Sequence, residues 1–279
     1  MIQQLDCAGK ILDLSTPQVM GILNVTPDSF SDGGRFTQEQ SALSQTANMI
    51  EQGAAIIDVG GESTRPGAAD VSLNEELDRV IPVIEKLVSE FDTIVSIDTS
   101  KAEVMSAAVN AGASMINDVN ALRADGTLHA AIKSDVPVCL MHMQGVPRTM
   151  QTAPNYEHVT NDVITFLRAR VEDCIDAGIS QDRLIVDPGF GFGKTLEQNC
   201  QLMRELDAFK KLDCPILVGV SRKSMIGQIL DAEVEQRLLG SVALETLAVW
   251  QGASIIRAHD VAAAMDAVKI ASAVKLTNL

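Results

Sequence analysis

Some side chains in this sequence suit one kind of chemistry. Arg65, Lys223, Arg257 and His259 are cationic groups able to surround a ligand carrying several negative charges. Arginine grips phosphoryl oxygens with two donors at once, while lysine acts as a point charge. Asn24, followed by the carboxylates of Asp28 and Asp32, offers oxygen ligands of the kind Mg²⁺ takes when it bridges phosphates and keeps part of its water shell. Asp98, Asn117 and Asp187 suit pairing with the N–H groups of a polar heterocycle. No Ser–His–Asp or Cys–His nucleophile pattern stands out, and neither does a metal cluster. The set fits departure of a diphosphate without a covalent enzyme intermediate.

Such chemistry needs a frame that gathers residues from distant parts of the chain. Each of these positions follows a short apolar run or lies in the loop after one. Val19–Leu23 leads to Asn24, Ile56-Ile57 to Asp58, Thr93–Ile97 to Asp98, and Met115-Ile116 to Asn117 and Asp118. Val136–Met141 leads to His142, Leu184–Val186 to Asp187, Pro215–Val220 to Ser221 and Lys223, and Ile255-Ile256 to Arg257 and His259. Continuous apolar runs of this length suit strands buried on both faces of a parallel sheet. A repeat supports the same frame. Gly53, Gly112, Gly178 and Gly252, spaced 59, 66 and 74 residues apart, each precede such a run, as glycines do where a helix ends with φ > 0 and a strand follows.

Between the runs lie amphipathic stretches such as Asn74–Ser89, Asn155–Ala177 and Gln236–Trp250. Eight β–α units without a linker point to one (β/α)8 TIM-barrel domain over residues 1–279, with active-site residues at the C-terminal ends of the strands. A doubly wound open sheet is the alternative, because strand order is not readable from one sequence. Residues 3–14 are expected to form a short N-terminal hairpin closing the bottom of the barrel.

Single positions have plainer readings. Asp98 before Thr99-Ser100 reads equally as a helix cap, and Arg257 alone as a surface ion pair worth little. His142, among Leu140, Met141 and Met143, reads as a packed histidine rather than a metal ligand. Gly193-Lys194-Thr195 resembles a phosphate-binding loop, but Pro188 stands where the motif needs its first glycine. The same loop is one residue short of a dinucleotide fingerprint. Its two phenylalanines, Phe190 and Phe192, point instead to apolar contact with a flat ligand. Polar residues at eight strand ends together are what favour a site.

Composition narrows the class. The chain has 279 residues, 46% of them hydrophobic, enough for a large core and far too many for a disordered chain. Its formal net charge of −15 argues against a sequence-independent nucleic-acid binder or a membrane-surface protein. No signal peptide or membrane-spanning run is evident. Five cysteines without a CxxC pair read as free thiols in a reducing cytoplasm. Four of the seven phenylalanines (Phe30, Phe36, Phe190, Phe192) fall in Gly-rich loops at the proposed site.

Longer segments carry a family resemblance. Met20-Gly21-Ile22-Leu23-Asn24-Val25-Thr26-Pro27-Asp28-Ser29-Phe30-Ser31-Asp32-Gly33-Gly34 resembles the first signature of the dihydropteroate synthases, and Asp58-Val59-Gly60-Gly61-Glu62-Ser63-Thr64-Arg65-Pro66-Gly67 the second. Ser96–Thr99, Ile116–Asp118, Leu140–Met143, Asp187–Lys194, Ser221–Ser224 and Arg257–Asp260 continue the match in order over nearly the whole chain.

The resemblance implies condensation of 6-hydroxymethyl-7,8-dihydropterin diphosphate with p-aminobenzoate, giving 7,8-dihydropteroate and pyrophosphate in folate synthesis, with sulfonamides as inhibitors. It implies that Asn24 binds the Mg²⁺ accompanying the diphosphate, and that Thr64, Arg257 and His259 hold the diphosphate. Asp98, Asn117, Met141, Asp187 and Lys223 are implied to line the pterin pocket. Phe30, Thr64, Arg65, Pro66, Phe192 and Ser221 are implied for p-aminobenzoate, and Asp32 for stabilising a cation or ordering its loop. Asn24, Asp32, Arg65, Lys223, Arg257 and His259 form the implied catalytic set. A cytoplasmic homodimer is implied as well. Two rivals share the pterin pocket: a methyltransferase passing methyl groups between a folate and a corrinoid protein, and a pterin-binding barrel without activity. The first has no diphosphate to bind, which leaves Arg65, Arg257 and the Asn24 loop without a purpose; intact loop signatures argue against the second.

Overall fold

The computed structural model describes residues 2–25, 35–62, 70–145, 150 and 154–276. The expected hairpin comes first. Strands β1 (Gln4–Cys7) and β2 (Lys10–Asp13) pair antiparallel. They turn at Ala8 and Gly9, both at positive φ, where Asp6 Oδ1 accepts the Gly9 N–H at 2.6 Å. Positive φ at both central residues gives the turn the twist of its strands.

The apolar runs then form eight parallel strands: β3 (Gln18–Asn24), β4 (Ile56–Gly60), β5 (Ile94–Asp98), β6 (Met115–Asp118), β7 (Val138–Met141), β8 (Leu184–Asp187), β9 (Leu217–Val218) and β10 (Ile255–Ala258). Consecutive strands are neighbours from β3 to β8, and β10 joins β3 to β9. A parallel bridge between Val186 and Ile216 brings β8 to β9, so the sheet closes on itself. That closure selects the barrel over the open doubly wound sheet.

Nine α-helices lie between and after the strands among the described residues: α1 (Arg35–Glu51), α2 (Leu73–Glu90), α3 (Ala102–Asn110), α4 (Thr127–Ser134), α5 (Val159–Asp176), α6 (Leu196–Arg204), α7 (Ser224–Leu230), α8 (Leu238–Gln251) and α9 (Val261–Leu276). The four repeat glycines behave as their spacing implies. Gly53, Gly112, Gly178 and Gly252 stand just past α1, α3, α5 and α8 with φ of 100, 107, 105 and 113°. Phe36 departs from expectation: it belongs to the first turn of α1, not to a loop.

The strands place the site by their period of two. One inward residue from each strand (Met20, Ile56, Ile94, Met115, Cys139, Ile185, Leu217 and Ile255) joins Leu5, Cys7, Leu12 and Leu14 of the hairpin in one buried cluster. This cluster plugs the bottom of the barrel. Alternate residues such as Val19, Leu23, Ile57, Val59, Val95, Ile97, Val138, Leu140, Val186 and Ile256 join the larger core that includes the helices. Two positions beyond the plug the sequence runs Ile22, Asp58, Ser96, Asn117, Met141, Asp187, Gly219 and Arg257, and the interior turns polar.

Candidate active site

Register brings the first polar residues together. Asn24 pairs with Gly60, Gly60 with Asp98, and Asp98 with Asn117, across four adjacent strands. Gly60 leaves room here: a Cβ on it would lie 3.6 Å from Asn24 Oδ1 and 3.7 Å from Asp98 Oδ2. Asp98 does not cap the next helix, since Lys101 holds that position.

Arg257, on β10, reaches across the mouth of the barrel. Its Nε donates to Asp58 Oδ2 at 2.6 Å and its Nη2 to Asp98 Oδ2 at 2.8 Å. Asn117 Nδ2 donates to the same Asp58 oxygen at 3.0 Å, which leaves its side-chain Oδ1 to accept from a ligand, its backbone carbonyl being taken by the Thr99 N–H. Burial opposes charge on Arg257, but Asp58 and Asp98 outweigh it and hold its pKa above the ordinary arginine value. Burial pushes the Asp98 carboxyl up to about 7, against the pull of Arg257. Asp58 is fully buried, and its Oδ1 has no hydrogen-bond partner among the described residues. The sequence named Asp58 as a strand end but gave it no role. Its position two residues beyond Ile56, on the inward face, was the available signal.

The opposite wall is built from β8 and the loop after it. Met141 pairs with Asp187 in register. Asp187 Oδ1 accepts the Gly189 N–H at 2.7 Å; burial raises its pKa while Lys223 opposes the rise. Lys223 donates to the Phe190 carbonyl, and its Nζ lies 4.7 Å from the centre of the Phe192 ring, a cation–π contact. Burial lowers the Lys223 amine to about 8, with Asp187 acting in the other direction. Phe192 also packs on the buried cluster Val119, Met141, Met143 and Met150. The two loop phenylalanines therefore differ. Phe192 faces the site, whereas the Phe190 ring is fully buried in the main core and offers only its carbonyl. His142 is packed as its neighbours suggested, edge-on to Phe166 at 4.9 Å, and burial together with Lys194 lowers its pKa to about 2.

Ser221 and His259 meet at the ends of the last two strands. Ser221 Oγ accepts the His259 N–H at 3.1 Å and lies 3.1 Å from its Nδ1. Between Ser221 and Lys223, Arg222 adopts φ of 56° and makes a paired contact with Asp260 at 2.5 and 2.8 Å.

A second network that sequence reasoning missed lies beside β4. Lys101 Nζ bridges Glu62 and the buried Glu76; Glu76 also accepts from Thr99 Oγ1 at 2.6 Å, and Glu62 Oε1 accepts the Val71 N–H at 3.2 Å. Phe30, Asp32, Thr64, Arg65 and Pro66 lie outside the described residues. The structure brings together Asn24, Asp98, Asn117 and Arg257 on one side, Met141, Asp187, Lys223 and Phe192 on another, and Ser221 with His259.

Among the described residues no group of three or more His, Cys, Asp or Glu could hold a metal ion alone. Asn24 remains at the mouth as a single neutral oxygen donor. That suits Mg²⁺ arriving with a diphosphate, since the phosphates and water then supply most of its ligands.

Residues 20–259 match the model of a family described as pterin binding enzyme. The dihydropteroate synthase of Haemophilus influenzae is 54% identical over 261 residues, covering 94% of this chain and 95% of that protein. A crystal structure of the Yersinia pestis dihydropteroate synthase with a sulfonamide drug complex superposes with a TM-score of 0.93 at 51% identity, covering 98% of this chain and 99% of that one. The Xanthomonas albilineans dihydropteroate synthase with 4-aminobenzoic acid has a TM-score of 0.93 at 50% identity, covering 99% and 100%.

Proposed function

This chain belongs to the pterin-binding enzyme family and, within it, to the dihydropteroate synthases; from that premise we infer its reaction. It condenses 6-hydroxymethyl-7,8-dihydropterin diphosphate with p-aminobenzoate, releasing 7,8-dihydropteroate and pyrophosphate. The observation that carries the reading is the Arg257–Asp58–Asp98–Asn117 cluster, which joins cation and acceptors at four strand ends of one barrel mouth.

The roles follow from charge. Asp98, Asn117 and Asp187 accept N–H groups of the pterin, Met141 packs on its ring, and Lys223 stands beside it as a donor. Arg257 and His259, with Thr64, hold the diphosphate, and Asn24 contributes an oxygen to its Mg²⁺. When bound, that ion supplies charge neutralisation to the departing diphosphate. Breaking the C–O bond early leaves positive charge on the pterin and more negative charge on the leaving group. Fixed cations aimed at that group stabilise it without reorganising. The arylamine is neutral and weakly nucleophilic, so its placement by Phe30, Thr64, Arg65, Pro66, Phe192 and Ser221 matters more than prior deprotonation. Asp32 acts near the developing cation, and closure of the loops keeps water from it. Sulfonamides, which resemble p-aminobenzoate, compete for the same place.

A homodimer and a cytoplasmic location complete the reading. The dimer is supported by an apolar outer face on α7–α9, and the location by five free thiols. No helix among the described residues is long and apolar enough to cross a membrane. The deciding assay follows pyrophosphate release with both substrates and Mg²⁺. Release that depends on p-aminobenzoate is expected; its absence would sink the assignment.

A further inference from the structure

The Gly193-Lys194-Thr195 triplet, whose spacing rules out a phosphate-binding loop, has another use. Thr195 caps α6: its side chain accepts the Gln198 N–H at 3.2 Å while Gln198 Oε1 accepts the Thr195 N–H at 2.8 Å. Lys194 turns inward and is only 3% exposed. Its Nζ lies 2.8 Å from Gly189 O, 3.0 Å from Phe192 O, 3.0 Å from His142 Nδ1 and 3.4 Å from His142 O. An ammonium has three N–H donors, and three of these acceptors are within 3.0 Å. None is left over for a phosphate.

The turn is wound tightly around this amine. A Cβ on Gly189 would lie 1.9 Å from His142 O, and one on Gly193 would lie 2.6 Å from Gln144 O. Tyr156 donates its hydroxyl to Gly193 O at 2.7 Å, and Asn199 Oδ1 accepts the Gly191 N–H at 2.8 Å. Burial lowers the Lys194 amine to about 7, with Asp187 opposing the fall and Lys223 adding to it, while the three close acceptors around Nζ suit the charged form. Gly189 O also accepts the Phe192 N–H at 3.1 Å, so without the ammonium it keeps one donor, whereas the part-buried Phe192 carbonyl loses the donor that Lys194 supplies. A part-buried carbonyl stripped of its donor favours a rearrangement that brings it another partner. That carbonyl belongs to Phe192, so its ring is the side chain that a shift of the turn reaches first.

We propose that Lys194 is a positioning residue for the p-aminobenzoate half of the reaction, its ammonium tying the Gly189–Phe192 turn to His142 so that the Phe192 ring faces the site. The proposal rests on the reading that Phe192 frames the p-aminobenzoate site. It also fixes a tautomer: His142 accepts through Nδ1 and carries its proton on Nε2.

The test compares K194M, F192A and the double variant in steady-state kinetics with each substrate. Displacing a positioned group by about an ångström costs up to ~100-fold, so K194M should raise KM for p-aminobenzoate by roughly tenfold or more, with KM for the pterin diphosphate within about threefold. The double variant should be no worse than F192A. Wild-type KM for p-aminobenzoate in K194M, or equal rises for both substrates, would overturn the role of Lys194. An F192A enzyme with normal KM would instead overturn the reading beneath it. Nitrogen-15 NMR of the intact wild-type enzyme, which has four histidines, keeps the test independent of whether K194M folds. His142 should be neutral and Nε2-protonated at pH 6; an Nδ1-protonated or imidazolium ring there contradicts the tie.

Discussion

Asp58 shows what a single buried carboxylate does to its neighbours. One oxygen receives both Arg257 Nε and Asn117 Nδ2, so it fixes a cation and an amide that face the ligand. Asp58→Asn keeps the shape but removes the charge opposite Arg257. Losing one partner of a buried ion pair is expensive, so affinity for the pterin diphosphate should fall by roughly tenfold or more while the fold persists. Calorimetric titration with the pterin substrate checks this; unchanged affinity would contradict the geometry. Asp98 adds a pH dependence. Its carboxyl, raised by burial to about 7, must be ionised to accept a ligand N–H. Affinity should therefore decline as pH falls from 8 to 6 in wild type, with a shallower slope in Asp98→Asn measured over the same range. Arg257→Ala and Asn24→Ala should depress turnover and Mg²⁺–diphosphate binding with an intact fold, and a fully active variant of either rules out that residue's role.

At the scale of elements, most of the frame was legible and most side-chain directions were not. Strand ends were readable because runs buried on both faces stop abruptly at Asn24, Asp98, Asn117 or Asp187. Helix ends were readable within a few residues, as where α5 begins at Val159 rather than Asn155 because His158 caps it by accepting the Asn161 N–H. The opposite fates of Phe190 and Phe192 were not readable. They depend on positive φ at Gly189, Gly191 and Gly193, and on the tertiary tie to Lys194. Gly189→Ala tests that turn: its Cβ would collide with the His142 carbonyl at a φ of 70°, so a loss of roughly 3 kcal/mol or more is expected in denaturant unfolding.

Glu245, buried in α8, makes a separate prediction. Burial, with Asp260, raises its carboxyl from 4.5 to about 7. The folded chain thus holds a proton that the unfolded chain has released between those values, and stability falls as pH rises through that window. The shift corresponds to about 3 kcal/mol at most. Glu245→Gln should be more stable than wild type at pH 8 and about equal below pH 4.5; scanning calorimetry showing the same difference at both would refute it.

For the whole molecule, the net charge of −15 describes the exterior and not the mouth of the barrel. Arg257 and Lys223 set fixed cationic donors among Asp58, Asp98 and Asp187 where the strands end, so the mouth of the barrel differs from the acidic exterior. The same exterior bears on assembly. Among the described residues, nine of the twelve large exposed apolar side chains lie between Ile229 and Val274, on α7–α9 and their connections. Leu239 and Ile270 are 80% and 62% exposed there, and exposed apolar side chains gathered on one face mark an interaction surface. Two copies meeting on this face hide the patch but bring two acidic bodies together. Burial of apolar area is insensitive to moderate salt, whereas repulsion between protomers is screened over a Debye length of about 8 Å at physiological ionic strength. The homodimer proposed above should therefore tighten as salt rises from about 10 to 300 mM. Leu239→Glu with Ile270→Glu should yield a folded monomer, because neither side chain supports the protomer's own core. Light scattering across the salt series reads both effects; a double variant that stays dimeric would place the interface elsewhere on the barrel.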